Sequence, residues 1–118
     1  MASPSSPPSL TIIGGTKYDE DALLAFVRNI PDETSIYVGD GRGAEAWVCH
    51  TAPDWISVTK IAVDHDVYGK NARKVNVEAV LCHDPTSPLL LVGSGERVKQ
   101  AEAWLKRANW GREVIRIG

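Results

Sequence analysis

Residues 10–16 read Leu-Thr-Ile-Ile-Gly-Gly-Thr, and residues 89–95 read Leu-Leu-Leu-Val-Gly-Ser-Gly. Each stretch is a short apolar run that stops at glycine and is followed by a segment with helical spacing of its apolar residues. A third run at residues 35–38 stops at Gly-Asp-Gly-Arg-Gly in residues 39–43. Strands that read apolar almost throughout are typical of parallel sheets covered on both faces. The pattern therefore predicts buried parallel strands, each leading through a tight turn into a helix.

On both sides of these runs, the chain alternates between strand-like and helix-like segments. The predicted strands are 10–13, 35–38, 56–63, 88–92 and 113–117, and the predicted helices are 19–29, 44–51, 70–82 and 96–108. Strict alternation with short connections favours a Rossmann-like, three-layer α/β/α domain with a mainly parallel five-stranded sheet. An antiparallel α+β fold is the alternative.

The length and charge of the chain limit its class. At 118 residues it has room for one domain. We expect residues 1–9, which are almost all Ser and Pro, to form a disordered tail, so that the domain spans 10–118. The 13 basic and 15 acidic residues give a net charge of −2, which argues against binding duplex nucleic acid through its phosphates.

Neither a membrane span nor a secretory signal is expected. The chain has no apolar run of about 20 residues, and its start has neither a basic nor an apolar stretch. Two cysteines do not make a disulfide framework. We therefore expect a cytoplasmic, reduced protein with no membrane partner.

The three glycine turns predict a binding site. In open parallel sheets ligands bind beyond the carboxyl ends of the strands, where helix N-termini present free N–H groups to anions. A phosphate-containing ligand is therefore expected on this edge, although glycines that simply make tight turns are the alternative. The backbone residues predicted to bind it are Gly14, Gly15, Thr16, Gly41, Gly43, Gly93, Ser94 and Gly95.

Side chains near these turns complete the predicted site. Six cations fall on or just after the strand ends and could pair with the phosphate, namely Lys17, Arg42, Lys70, Arg73, Lys74 and Arg97. Arg42 and Lys70 are favoured because they lie in the segments 39–45 and 68–73, which carry a family resemblance. Asp40 or Glu45 would hold a ribose, and Tyr68 would flank a base. Each assignment has an alternative. The cations could belong to a solvated rim of mixed charge, Glu45 could stabilise the start of its helix, and Tyr68 could pack under its loop. Neither a GxxxxGK[ST] nor a GxGxxG motif is present, so a P-loop NTPase and a common dinucleotide-dependent oxidoreductase are not expected.

Four segments together carry a family resemblance. They read Ile-Ile-Gly-Gly at 12–15, Gly-Asp-Gly-Arg-Gly-Ala-Glu at 39–45, Tyr-Gly-Lys-Asn-Ala-Arg at 68–73 and Val-Gly-Ser-Gly at 92–95. In this order they resemble the SLOG superfamily of Rossmann-like proteins, in particular its small YspA/YpsA-related branch of bacteria and phages. The resemblance implies a pocket for a nucleotide or nucleotide-derived ligand at the strand ends, and association as a homodimer is compatible with it.

One departure from that family bears on catalysis. Its phosphoribohydrolase members carry a catalytic glutamate in the loop after the fourth strand, and Lys99 stands at that place here. A lysine cannot serve as a carboxylate base or stabilise an oxocarbenium-like charge. Binding or sensing of the ligand is therefore favoured over catalysis. The alternatives are an enzyme acting on a nucleotide glycosidic or phosphate bond, with Glu45 as its carboxylate, and a DNA-processing interaction module.

The Cys-His pairs at 49–50 and 82–83 are the only hint of a metal site. Adjacent residues on a helix point about 100° apart, so neither pair chelates well alone. Buried cysteines beside surface histidines are the expected explanation, and neither a metal nor a cofactor is predicted.

Overall fold

The computed structural model describes residues 8–108 and 112–118, and its centre is a five-stranded sheet. The strands are β1 (Ser9–Gly14), β2 (Ser35–Val38), β3 (Ser57–Lys60), β4 (Leu89–Val92) and β5 (Val114–Ile117). They lie in the order β3-β2-β1-β4-β5, and every neighbouring pair is parallel. The predicted parallel, Rossmann-like α/β architecture is confirmed.

Helices cover both faces of this sheet. They are α1 (Glu20–Arg28), α2 (Ala44–Thr51), α3 (His65–Tyr68), α4 (Ala72–His83) and α5 (Glu96–Ala108). Two apolar clusters divide them into layers, because Leu23 of α1 and Val48 of α2 pack on one face, while Val80 of α4 and Ala101 of α5 pack on the other. The result is a three-layer sandwich with its core on both sides of the sheet.

The central strand explains why the apolar runs are continuous. In β1, Ile12 and Ile13 are both fully buried, but Ile12 packs in the cluster under α1 and α2 and Ile13 packs in the cluster under α4 and α5. Successive side chains of a strand point to opposite faces. A strand that is covered on both sides therefore takes apolar residues at successive positions, except where a buried polar group is hydrogen-bonded, as Thr11 is to Ser87.

The segment between β3 and α4 differs from the prediction. A helix from 70 to 82 was expected, but α4 begins at Ala72 and is preceded by the four-residue α3 and a 3-10 turn at Gly69–Asn71. Gly69 has a φ of 54°, a conformation that glycine adopts without steric cost and that ends α3. The edge strand β3 is also shorter than the predicted 56–63.

The described domain begins at β1 and ends at β5. Ser9, which was placed in the disordered tail, is the first residue of β1, and residues 1–7 lie outside the described residues. At the amino end of the sheet the Arg112 guanidinium donates to the main-chain oxygens of Ser87 (2.7 Å), Leu81 (2.9 Å) and Asp84 (2.9 Å). These bonds join β5 to the α4–β4 connection.

Within residues 8–108 and 112–118, no helix has the length and apolar character that crossing a membrane requires. The expectation of buried cysteines is wrong, because Cys49 and Cys82 are both free and exposed. The described part of the chain also brings no three His, Cys, Asp or Glu side chains together in a way that would hold a metal ion.

Candidate functional site

The turns that follow β1, β2 and β4 line one cavity at the carboxyl edge of the sheet. From β1 the chain continues through β2 and β3 on one side, whereas β4 and β5 lie on the other side of β1. The topological switch point is therefore between β1 and β4, where ligands of such sheets bind. The cavity has a volume of about 380 Å³, within the range of small-molecule sites.

Glycine is needed here because the turns touch one another. A Cβ on Gly15 would overlap the main-chain oxygen of Ser94, and a Cβ on Gly43 would overlap the main-chain oxygen of Gly15. The Ser94 N–H also donates to the Lys17 oxygen at 3.0 Å, which bridges the turns after β1 and β4. Close packing of the turns is thus one physical reason for the glycines, and the cavity opens beside the packed backbone.

A buried ion pair fixes these turns. The Glu45 side chain is fully buried, and its carboxylate accepts from Arg97 Nε at 2.5 Å and Arg97 Nη2 at 2.8 Å. The same carboxylate accepts from the main-chain N–H groups of Gly14 at 3.2 Å and Gly39 at 2.8 Å. Glu45 therefore joins the turn after β1 and the turn after β2 to the first turn of α5.

Asn76 extends this network to α4 and β3. Its side-chain oxygen accepts from Arg97 Nη2 at 2.6 Å and from the Asp40 N–H at 3.2 Å, and its amide group donates to the Ile61 oxygen at 2.7 Å. Asn76 is fully buried, and a buried amide is stable only when it is hydrogen-bonded. The network thus holds the rim of the cavity in place from four different elements.

The Glu45 carboxylate does not line the cavity, because its oxygens are occupied within the protein. The predicted roles of Glu45 as a ribose contact and as a catalytic base therefore do not fit this geometry, in which the carboxylate positions the turns. Asp40, the other predicted ribose contact, does line the cavity, and its carboxylate lies 3.1 Å from Nε2 of His65.

Some predicted N–H donors are also occupied. The Gly15 N–H donates to the Val92 oxygen at 3.0 Å, and the Gly93 N–H donates to the Ile117 oxygen at 2.9 Å. The Gly14 and Ser94 N–H groups are also occupied, so these four donors do not belong to the predicted cradle. At the turn after β2, α2 begins after Gly43 without a side-chain cap, but its first N–H group, at Ala44, donates to the Gly15 oxygen at 3.0 Å. Gly41, Arg42 and Gly43, which lead into α2, line the cavity.

Two cations at the cavity remain unpaired. Arg42 and Arg73 are exposed, and neither forms an ion pair with any residue of the described ranges. Glu96 is the exposed anion that has no such partner there. Arg97 pairs with Glu45 and also lies 4.0 Å from the Asp40 carboxylate. Arg42 and Arg73 therefore remain as two exposed cations that can contact an anion, with Glu96 as the opposing exposed charge.

Most of the predicted site residues come together. Those that line the cavity are Gly14, Gly15, Thr16, Asp40, Gly41, Arg42, Gly43 and Gly95. Those that do not line it are Glu45, Tyr68, Lys70, Gly93 and Ser94. Lining residues outside the predicted set are His65, Arg73, Glu96, Arg97 and Gln100. Arg97 had a usable signal, because it lies two residues after the last glycine of the turn that follows β4, whereas nothing in the sequence distinguishes Gln100.

Larger depressions lie in two other regions of the described surface. One, of about 400 Å³, is an apolar groove between α1 and β5 that includes Phe26 and Ile115. The other, of about 640 Å³, runs between α4 and α5 and shares Glu96 and Gln100 with the strand-edge cavity. Neither contains the glycine turns, so neither has the N–H groups and switch-point position that distinguish the smaller cavity.

Taken together, the fold and the cavity define a Rossmann-like α/β domain with a candidate anion site at its switch point. The sequence matches no family model, and no curated protein or solved structure matches the chain. The function of the protein is therefore inferred from the geometry of the site and from the resemblance of its motifs to the SLOG superfamily.

Proposed function

We propose that this protein binds a nucleotide, or a nucleotide-derived small molecule that contains phosphate, in the cavity at the carboxyl edge of the sheet. The observation that carries the proposal is the pair of arginines, Arg42 and Arg73, that line the cavity without an ion-pair partner in the described ranges, beside the glycine turn that leads into α2. An arginine fork matches two phosphate oxygens, and a helix N-terminus stabilises negative charge.

The rest of the ligand would lie along the turns after β1 and β4. The volume of about 380 Å³ admits more than a bare phosphate. Asp40 lines the same cavity and supplies carboxylate oxygens that can accept from sugar hydroxyls. The motif resemblance to SLOG proteins supports the nucleotide class, and membership of that superfamily is part of this proposal.

Binding or sensing is the activity that we favour over hydrolysis. Lys99 occupies the place of the family's catalytic glutamate, and it lines the groove between α4 and α5 rather than the strand-edge cavity. Glu45, the other carboxylate considered for catalysis, is fully buried with its oxygens bonded to Arg97 and to main-chain N–H groups. Neither residue is placed to act on a bound ligand.

A thermal-shift screen followed by calorimetry tests this proposal. The panel contains inorganic phosphate, ribose 5-phosphate, nucleoside monophosphates, cyclic nucleotides and ADP-ribose. A ligand at about 100 times its dissociation constant adds about 2.7 kcal/mol to the stability, which raises the midpoint of a domain of this size by roughly 10 °C.

The variants Arg42→Ala and Arg73→Ala should each weaken binding of the best ligand about tenfold or more, because each removes a charged hydrogen-bond donor. Arg28→Ala is the matched control, since Arg28 is an exposed arginine at the end of α1, and it should leave the affinity unchanged. No midpoint shift with any member of the panel would overturn the proposal. Release of free base from a bound nucleotide would instead favour the hydrolase alternative.

A further inference from the structure

Residues 64–71 form an exposed segment at the rim of the cavity. They comprise the cap of α3, the helix itself and the 3-10 turn, and every one of these eight residues is exposed. His65, near the start of this segment, and Arg73, two residues after its end, both line the cavity. The segment therefore joins two residues of the cavity wall, while residues 66–71 themselves lie outside the lining.

This segment has few bonds to the rest of the domain. Within the described ranges, the contact of 3.1 Å between His65 Nε2 and the Asp40 carboxylate is its side-chain hydrogen bond to the strand ends. The bonds of Asp64 stay inside the segment, where its side chain accepts from the Asp66 N–H at 2.9 Å. At the end of α3, Gly69 has a φ of 54°, and a Cβ placed on this residue would meet no atom within 4 Å. These are the features of an element that opens locally at low cost.

The segment also presents apolar side chains to solvent. The exposed large hydrophobic residues of the described ranges are Trp55 at 53%, Val67 at 70% and Tyr68 at 44%. Trp55 precedes β3 and so lies at the amino end of the sheet, whereas Val67 and Tyr68 follow β3 and lie together at the carboxyl end. Adjacent exposed apolar groups beside a polar cavity mark a surface that a ligand can cover.

We propose that residues 64–71 are a lid and that Val67 and Tyr68 cover the base of a bound nucleoside phosphate. This inference rests on the proposed function, and it narrows the ligand to a phosphate that carries an aromatic base. The cations Arg42 and Arg73 hold the phosphate inside the cavity, so the base projects towards the rim on which Val67 and Tyr68 lie. Closure replaces solvent around both side chains with the face of the base, a contact that Tyr makes by stacking.

The test compares three probes on the intact protein: inorganic phosphate, ribose 5-phosphate and AMP. AMP should bind at least tenfold more tightly than ribose 5-phosphate, because the base contact adds to the phosphate contacts. The Val67→Ser and Tyr68→Ser variants should lose this gain and leave the ribose 5-phosphate affinity unchanged. Trp55→Ser is the matched control, since it removes an equally exposed apolar side chain at the opposite end of the sheet.

Amide hydrogen exchange supplies a second readout that does not depend on a substitution. AMP should slow exchange of the amides at residues 66–71, and inorganic phosphate should not. If phosphate and ribose 5-phosphate bind but the base adds no affinity, or if the serine variants bind AMP like the wild type, the lid is refuted and the anion site stands. If none of the probes binds, the proposed function fails as well.

Discussion

Replacing Glu45 with Gln should lower the free energy of unfolding by about 3–5 kcal/mol, the usual cost of breaking a buried ion pair. The wild-type carboxylate accepts from Arg97 Nε, from Arg97 Nη2 and from the N–H groups of Gly14 and Gly39. An amide keeps one accepting oxygen, but its NH₂ group then faces N–H donors. Arg97, whose side chain is only 11% exposed, also loses its closest counter-charge and keeps only the Asp40 carboxylate, at 4.0 Å from Nη1.

Thermal unfolding followed by circular dichroism measures this effect. At about 4 °C per kcal/mol for a domain of this size, the midpoint should fall by roughly 12–20 °C. The matched control is Glu102→Gln, because Glu102 and Arg116 also form a Glu–Arg pair at 2.6 Å, but with side chains 43% and 59% exposed. An exposed pair contributes about 0–1 kcal/mol, so this variant should unfold within roughly 4 °C of the wild type.

A double-mutant cycle completes the test. Glu45→Gln with Arg97→Met should be less destabilising than the sum of the single changes, because the second substitution removes the charge that the first leaves unpaired. If Glu45→Gln costs no more than Glu102→Gln, or if the two substitutions are additive, the ion pair does not hold the turns together.

Three further predictions concern other parts of the fold. Arg112→Lys should lower the free energy of unfolding, measured in urea, by about 2 kcal/mol. A lysine ammonium cannot replace the planar guanidinium, which donates to three main-chain oxygens at the amino end of the sheet. An unchanged free energy of unfolding would contradict this. The hydrogen bond from the Thr86 hydroxyl holds the pKa of Asp84 below the usual value of an aspartate. The resulting stabilisation is present above the unfolded-state pKa and is lost as the pH falls through the folded-state pKa. Asp84→Asn should therefore flatten the acid limb of the stability profile, and an unaltered pH profile would argue otherwise. Partial desolvation on α2 raises the pKa of the Cys49 thiol, although the residue is exposed. In a Cys82→Ser background this thiol should therefore be alkylated more slowly than free cysteine at pH 7.5, and an equal rate would be inconsistent with the raised pKa.

The sheet could be predicted because its signals are local. Each strand buried on both faces needs an unbroken apolar run, and each run here stops at a glycine that the following turn requires. The short α3 could not be predicted in the same way. His65 and Tyr68 belong to a stretch with no buried residue, so hydrophobic periodicity, the main signal for a helix, is absent there.

The position of the site could also be predicted, but not the roles of its charges. Glycine turns on parallel strands gather at one edge, and Gly41 and Arg42 line the cavity there; their role in binding stays a prediction. The pairing of Glu45 with Arg97 joins residues 52 positions apart, and no sequence pattern distinguishes a buried acid from an exposed one at the start of a helix. Tertiary packing alone decides that Glu45 is positioned inside and that Arg42 stays free.

The central claim is that an anionic ligand binds at the carboxyl edge of the sheet. Amide chemical-shift mapping during a titration with AMP tests it most directly. If the ligand binds there, the largest changes in amide chemical shift should occur at Thr16, Gly41, Gly43 and Gly95, which line the strand-edge cavity. Shifts confined to the groove between α1 and β5, around Phe26 and Ile115, or the absence of saturable shifts, would contradict it.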